Sequence, residues 1–402
     1  TLRLFLNSVI SFIYYGLGGL IFSAIGSVFV RRSRGKTLDF IKLLLAKFLT
    51  SVLYTNPFVK KTLIRNPNED FSKPAVIIAN HTSFLDTLVL GMVNHKIIYL
   101  VNDWVYHSPV FGKLIRALGF YPVSQGIENG MNQLKEKIKQ GYSLVVFPES
   151  ERSYTNEVKR FHKGAFYIAE QFSLDIVPIY IHGNSEVQPK GDFIIYDGSI
   201  TVKVGDRIRK EDLNFGKNYS ERTKKVNAYF RDEFAKLRNE LEDENYFKKK
   251  LLLSFLYKEN EVVKPVKEDF NKNKSVYFEL NKHIAKDAVI FHIANDFGQK
   301  DMLLTLQQAE RKIFSLINDY EKRLVAKNSY LAQKRKINYI DNQSQINKKI
   351  DVLLISDENF NLNDIKHFPE TIILLNLENL PFENEKYKKS FNSESIKIFR
   401  HE

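Results

Sequence analysis

His81 and Asp86 stand five positions apart in the stretch NHTSFLD, directly after the apolar run AVIIA at residues 75–79. Two residues five apart on one regular helix point to different faces. A contact between them requires His81 to lie before the helix begins, and Thr82 or Ser83 can supply the N-cap that makes the break. Asp86 then accepts the Nδ1 hydrogen of His81, fixes its tautomer and leaves Nε2 free to take a proton from a bound hydroxyl. Taken alone, such a pair is more often structural. A second apolar run, YSLVVFPESERS at residues 142–153, opens into a loop bearing Glu149, Glu151 and Arg152, followed by VKRFHKGAFYIA. Arg152 through its planar fork and Lys163 as a point charge are candidates for holding a phosphate, though each alone also reads as a solvated loop charge. The chain has no cysteine, which excludes a thiolate nucleophile, a disulfide and Cys-ligated zinc. It also lacks a G-x-S-x-G elbow.

The segments AVIIA, KIIYLV, YSLVVF, DIVPIYI and the pair FIIYD and SITVKVG read as strands separated by stretches long enough for helices, which makes an α/β domain. Before them, TLDFIKLLLAKFLTSVLYTNPFVKKTLIR carries apolar residues and lysines at helical spacing, as in a helix that caps a domain or lies on a membrane surface. Val226, Phe230, Phe234, Leu237 and Leu241 fall at steps of three and four between Ser220 and Leu241, a helix that would close this domain. After a charged stretch, AVIFHIA, RKIFSLIN, KINYID, DVLLISD and TIILLNL alternate with helical segments, giving a second α/β unit with a parallel sheet. The expected organisation is a membrane-spanning or re-entrant segment at 1–36, a first α/β domain at 37–245, a linker at 246–274 and a Rossmann-like domain at 275–402.

Leu4 to Val30 is 27 residues without a charge, long enough as a helix to cross a bilayer with tilt. RRSRGK follows it, and the positive-inside tendency places the remainder in the cytoplasm. Gly16, Gly18 and Gly19 leave open a buried or interfacial hairpin broken at that point. A chain that starts at Thr1 reads as processed or as a portion of something longer, such as the cytoplasmic tail of a lipid exporter linked to a membrane transporter. The net charge of +13 suits an anionic lipid or a phosphorylated substrate, but lysine is abundant throughout and no nucleic-acid module is visible, so no nucleic-acid partner is expected.

Together these pieces resemble the glycerolipid acyltransferase family, the lysophosphatidate and lysophospholipid acyltransferases. NHTSFLD matches its N-H-x4-D motif, FPESERS its third motif, VPIYI its fourth, and HSPVFGKLIRALGFYPV part of its second, in family order over residues 37 to 245. The resemblance implies His81 as general base and Asp86 as its orienting partner, with Asn80, Ser83, Glu149, Arg152, Ser153, Lys163 and Pro178 around the substrate. It implies a membrane lipid acceptor and acyl-CoA or acyl carrier protein as donor, in membrane phospholipid biosynthesis or remodelling, with no cofactor and no metal. The chain departs from the family at Ser124 and Gln125, where an arginine is common, at Ser150 in place of glycine and at Glu151 in place of threonine. These changes put the acceptor in question between lysophosphatidate, another lysophospholipid and an amino-acid lipid; a non-catalytic lipid-binding or scaffold role is the competing reading. AVIFHIANDFGQKDMLL and the strand after it resemble a class I S-adenosylmethionine-dependent methyltransferase. Only Gly298 remains of the glycine-rich turn, and Ile317 stands where an acid is usual, with Asp319 two residues on. A degenerate methyltransferase-like domain that does not bind S-adenosylmethionine is expected, an active methyltransferase being the alternative.

Overall fold

The computed structural model describes the chain except residues 1, 33–35, 123–125, 361–364, 366–368, 378–381, 383–385 and 402. The side chains of the RRSRGK cluster, and the departure at Ser124 and Gln125, lie outside the described residues. The chain forms two compact units, Thr1–Arg238 and Asn239–Glu402.

The first unit is built on a seven-stranded sheet of β1 (Val59–Ile64), β2 (Ala75–Ala79), β3 (Ile97–Val101), β4 (Tyr121–Pro122), β5 (Ser143–Val146), β6 (Asp175–His182) and β7 (Gly198–Val204), in the order β1-β7-β6-β2-β5-β3-β4. From β6 to β4 the strands are parallel; β7 opposes β6, and β1 runs with β7. All five residues of β2 are buried, as a strand covered on both faces requires. Its neighbours β5 and β6 pair with it in parallel, Ile78 opposite both Val146 and Pro178. The carboxyl ends of three adjacent strands therefore open on one edge, where open α/β sheets bind ligands. The helix Tyr219–Leu241 closes one face as expected, with Val226, Phe230, Phe234 and Leu237 buried.

Two expectations for this unit need correction, and one alternative left open is closed. The helix Lys36–Val52 does not continue through residue 65: Asn56 and Pro57 end it, and Val59–Ile64 becomes an edge strand on β7. FIIYD is extended but is no strand, because the Ile195 and Tyr196 N–H groups go to Ser8 Oγ (2.8 Å) and the Val187 carbonyl (2.7 Å). The glycines of the N-terminal segment do not break it, since Leu2–Arg32 is one helix. They admit aromatic rings: a Cβ on Gly18 would lie 2.8 Å from the Phe48 ring, and one on Gly19 2.3 Å from Phe111. This helix is held along its length, from Arg3 on Asp197 (2.6 Å) through Ser11 on Thr55 (2.6 Å) and Phe12 stacked on Phe193 (4.5 Å) to Gly26 beside Leu114. By length and composition it could cross a membrane, and its other face exposes Ile10, Leu17, Ile21, Ile25 and Phe29.

The second unit has β8 (Val289–Ala294), β9 (Lys312–Ile317), β10 (Ile337–Ile340), β11 (Val352–Ile355), β12 (Thr371–Leu375), β13 (Tyr387–Asn392) and β14 (Ile396–His401), in the order β10-β9-β8-β11-β12-β14-β13. The first five are parallel in doubly wound order, and β14 is antiparallel to both its neighbours. The terminal hairpin is absent from the sequence-based expectation because Lys388, Lys389 and Ser390 give β13 a solvated, polar appearance. Residues 246–274 are not a linker. They form the helix Lys248–Leu253 and much of Asn260–His283, whose Leu251, Val266 and Phe270 lie in this unit's core, so charge density had masked an apolar stripe. At the turn after β8, Gly298 has φ of 82° and a Cβ there would lie 2.3 Å from the Tyr339 hydroxyl. Asn295 accepts from Lys322 Nζ (2.7 Å), and the Asp319 carboxylate caps the helix Tyr320–Lys327.

Candidate active site

β2 ends at Ala79, and the chain turns through residues 80–84 before the short helix Leu85–Val89. The break required between His81 and Asp86 is thus present, but neither Thr82 nor Ser83 is the residue that flanks the helix. Asp86 does the capping by reaching back: its Oδ2 accepts the N–H of Thr82 (2.6 Å) and of Ser83 (2.8 Å), while Ser83 Oγ accepts the Leu85 N–H (3.2 Å). The same Oδ2 lies 2.8 Å from His81 Nδ1, and Oδ1 accepts from Asn184 Nδ2 at 2.6 Å. Asp86 is fully buried, and these donors compensate its charge where water cannot. The His81 ring stacks on Phe147 at 4.1 Å, and its Nε2 has no protein partner among the described residues.

Asn184 was not foreseen. It follows Gly183, whose φ of 88° turns the chain at the end of β6, and a Cβ on Gly183 would meet the Ser199 carbonyl oxygen at 1.9 Å. A glycine directly after an apolar strand and directly before an amide was the available sequence signal.

Glu149, expected near the substrate, is bonded to backbone. It is buried, and its two oxygens accept the backbone N–H groups of His81 and Lys159, each at 2.8 Å. Ser153 N–H in turn donates to the His81 carbonyl (2.7 Å), so the loop after β5 is laced to the loop after β2. Burial pushes the Glu149 carboxyl up to about 7 from an ordinary 4.5; the two N–H groups pull against this, and Asp86 adds to it. A carboxyl raised in the folded state contributes stability that is complete below about 4.5 and is lost as pH rises towards about 7. Glu149→Gln should therefore flatten the fall in unfolding free energy between pH 4.5 and 7.5 by about 3 kcal/mol in urea titrations. The same slope in both proteins would assign that titration to another group.

A cavity of about 510 Å³ opens beside His81. Leu45 and Leu49 of the helix Lys36–Val52, Tyr15 of the first helix, and Phe84, Leu88, Tyr99, Phe111, Ile115 and Phe120 give it apolar walls. Ser150, Glu151, Arg152, His162 and Lys190 supply a polar side. Of the residues expected around the substrate, only Arg152 lines it, with no hydrogen bond or ion pair to the protein among the described residues. Asn80 instead clamps the Ile181 backbone in both directions at 2.8 Å, Ser83 and Ser153 are buried in their turns, Pro178 is buried within β6, and Lys163 is exposed at the start of the helix Gly164–Gln171. Sequence proximity to Arg152 does not bring Lys163 into the cavity. Ser150, where the family pattern has glycine, keeps the left-handed conformation that glycine would take, φ 64°. Glu151 turns to Lys159 (3.2 Å) and Lys190 (3.5 Å), which lower its pKa and offset its charge.

Residues 58–182 match the acyltransferase family. Those residues form an acyltransferase-family domain. A chloroplastic 1-acyl-sn-glycerol-3-phosphate acyltransferase of Arabidopsis thaliana is 28% identical over 136 residues, covering 33% of this chain and 38% of its own length. The 1-acyl-sn-glycerol-3-phosphate acyltransferase of Saccharomyces cerevisiae is 30% identical over 149 residues, 35% of this chain and 49% of its own. The chain thus spans less than half the length of either relative. The crystal structure of the 1-acyl-sn-glycerophosphate acyltransferase PlsC from Thermotoga maritima covers 59% of this chain and 97% of its own, with a TM-score of 0.52 and 19% identity, a likeness of fold. The acyltransferase domain contains His81, Asp86, Glu149 and Arg152; Asn184 and Lys190 lie just beyond the matched residues.

Proposed function

We propose that this protein transfers a fatty acyl group from acyl-CoA or acyl carrier protein to the hydroxyl of lysophosphatidate or a related lysolipid. The observation that carries the reading is the His81–Asp86 pair beside a cavity that is apolar on one side and cationic on another. The apolar walls suit hydrocarbon, and Arg152 suits a phosphate. With Nδ1 donating to Asp86, His81 Nε2 accepts the proton of the acceptor hydroxyl as its oxygen attacks the thioester carbonyl. The tetrahedral intermediate then collapses, forming the ester and expelling the thiolate, which leaves as the thiol once it takes up the proton. The relatives named for action on 1-acyl-sn-glycerol-3-phosphate support the same acceptor here.

Membrane attachment follows from the first helix. Its contacts run from Arg3 to Gly26, about 35 Å at 1.5 Å per residue, more than the hydrocarbon core of a bilayer. A helix docked to the domain over that length lies along the membrane with its exposed apolar face in the lipid, the domain facing the cytoplasm. In the second unit, Tyr339 crowds the Gly298 turn and Asp319 is engaged as a cap, which supports a domain without S-adenosylmethionine. The decisive experiment supplies the full chain in mixed micelles with labelled acyl-CoA or acyl carrier protein and a panel of lyso-acceptors. The expected product is a diacyl lipid from at least one acceptor bearing a phosphate; hydrolysis of the donor alone, or no transfer to any acceptor, would overturn the proposal.

A further inference from the structure

Lys190 lies in the turn after the helix Asn184–Val187, outside the four motifs and the residues 58–182 that match the family, yet it lines the same cavity as His81 and Arg152. Its side chain is only 19% exposed and its Nζ stands 4.2 Å above the Tyr154 ring. Its one carboxylate partner among the described residues is Glu151 at 3.5 Å, and Glu151 has a second and nearer partner in Lys159 at 3.2 Å. Lys190 can leave that carboxylate without stranding it. The segment that carries Lys190 also carries Asn184, which holds Asp86, so the cation and the His–Asp pair are fixed from one element.

We propose that Lys190 is a specificity-determining residue that binds the acceptor's phosphate together with Arg152, exchanging Glu151 for the ligand. This rests on the reading of the cavity as an acyl-acceptor site. It explains how a chain with Ser124 and Gln125, where the family commonly has arginine, still presents two cations to a phosphate. It also gives Glu151 a role: the carboxylate holds Lys190 beside the cavity when no phosphate is present and passes to Lys159 when one arrives.

Trp104, the chain's one tryptophan, lines the cavity and reports binding by fluorescence, independently of catalysis. The full chain in micelles is titrated with 1-acyl-glycerol 3-phosphate and with 1-acylglycerol, which lacks the phosphate. Lys190→Ala should weaken the first about tenfold or more, as loss of a charged hydrogen bond does, and leave the second unchanged. Lys190→Arg should recover most of the loss, and Glu151→Gln should tighten the phosphate ligand. In the Glu151→Gln background Lys190→Ala should still cost about tenfold, because the contact removed is to the ligand. If Lys190 only ties down its loop through Glu151, the second substitution adds nothing to the first and both ligands weaken alike, which overturns the proposal, as does equal binding by wild type and Lys190→Ala. Phosphate-dependent binding without acyl transfer would sustain Lys190 as a ligand and sink the enzymatic reading.

Discussion

His81→Ala should lower the proposed acyl transfer by about 10² to 10⁴-fold in rate while the protein remains folded. The two halves of this expectation rest on different contacts. His81 Nε2 lines the cavity with no protein partner among the described residues, so removing it removes the imidazole that Asp86 orients beside Arg152. The fold, by contrast, depends on His81 mainly through its backbone, whose N–H and carbonyl engage Glu149 and Ser153 and survive the substitution. Asp86 keeps three of its four donors. Thermal unfolding of the variant should stay within a few degrees of wild type, a shift of about 1 kcal/mol for a domain of this size. Turnover within a few-fold of wild type, measured on the acceptor that the panel identifies, would remove His81 from the chemistry.

The central strands were legible because burial on both faces leaves a continuous apolar run, and AVIIA, YSLVVF and DIVPIYI each stand between polar turns. The His81–Asp86 contact was legible because it is local, decided by one turn. What sequence could not supply was the set of contacts made between loops. Glu149 reads as a free loop acid until β2 and β5 are set side by side, and then it becomes the clasp on the His81 backbone. Asn184 and Lys190 lie about a hundred residues from Asp86 along the chain, and only the parallel pairing of β2 with β6 delivers them to the site. Lys163 shows the converse: eleven residues from Arg152, it stands exposed at the start of a helix and does not line the cavity. The N-terminal glycines show the same limit, since a small residue admits either a break or a packed ring, and only Phe48 and Phe111 decide between them.

Asp86→Asn should cost both activity and stability, which separates it from His81→Ala. An amide can accept through one oxygen only, so it cannot serve His81, Thr82 and Ser83 on one side and Asn184 on the other. If the oxygen stays with the two backbone N–H groups, the NH2 meets Asn184, whose amide must turn over to offer its unpartnered Oδ1; if it turns to Asn184, the NH2 meets two N–H donors and the histidine. The second choice leaves donors facing donors in a site from which water is excluded; the first replaces a carboxylate by a neutral amide under three charge-assisted bonds, at a cost of about 1 to 3 kcal/mol. The second arrangement also rewards the wrong tautomer of His81, because the ring must then accept at Nδ1 and carries its hydrogen on Nε2, where the base is needed. Activity should fall in either arrangement, because a neutral amide no longer stabilises the imidazolium formed at His81, with a urea midpoint that moves further in Asp86→Asn than in His81→Ala. Asn184→Asp would set a second carboxylate against Asp86 and should destabilise in the same direction. Should Asp86→Asn keep wild-type stability while losing activity, the four donors around Asp86 would be oriented for catalysis alone; should it keep activity, the tautomer is set by something other than this carboxylate.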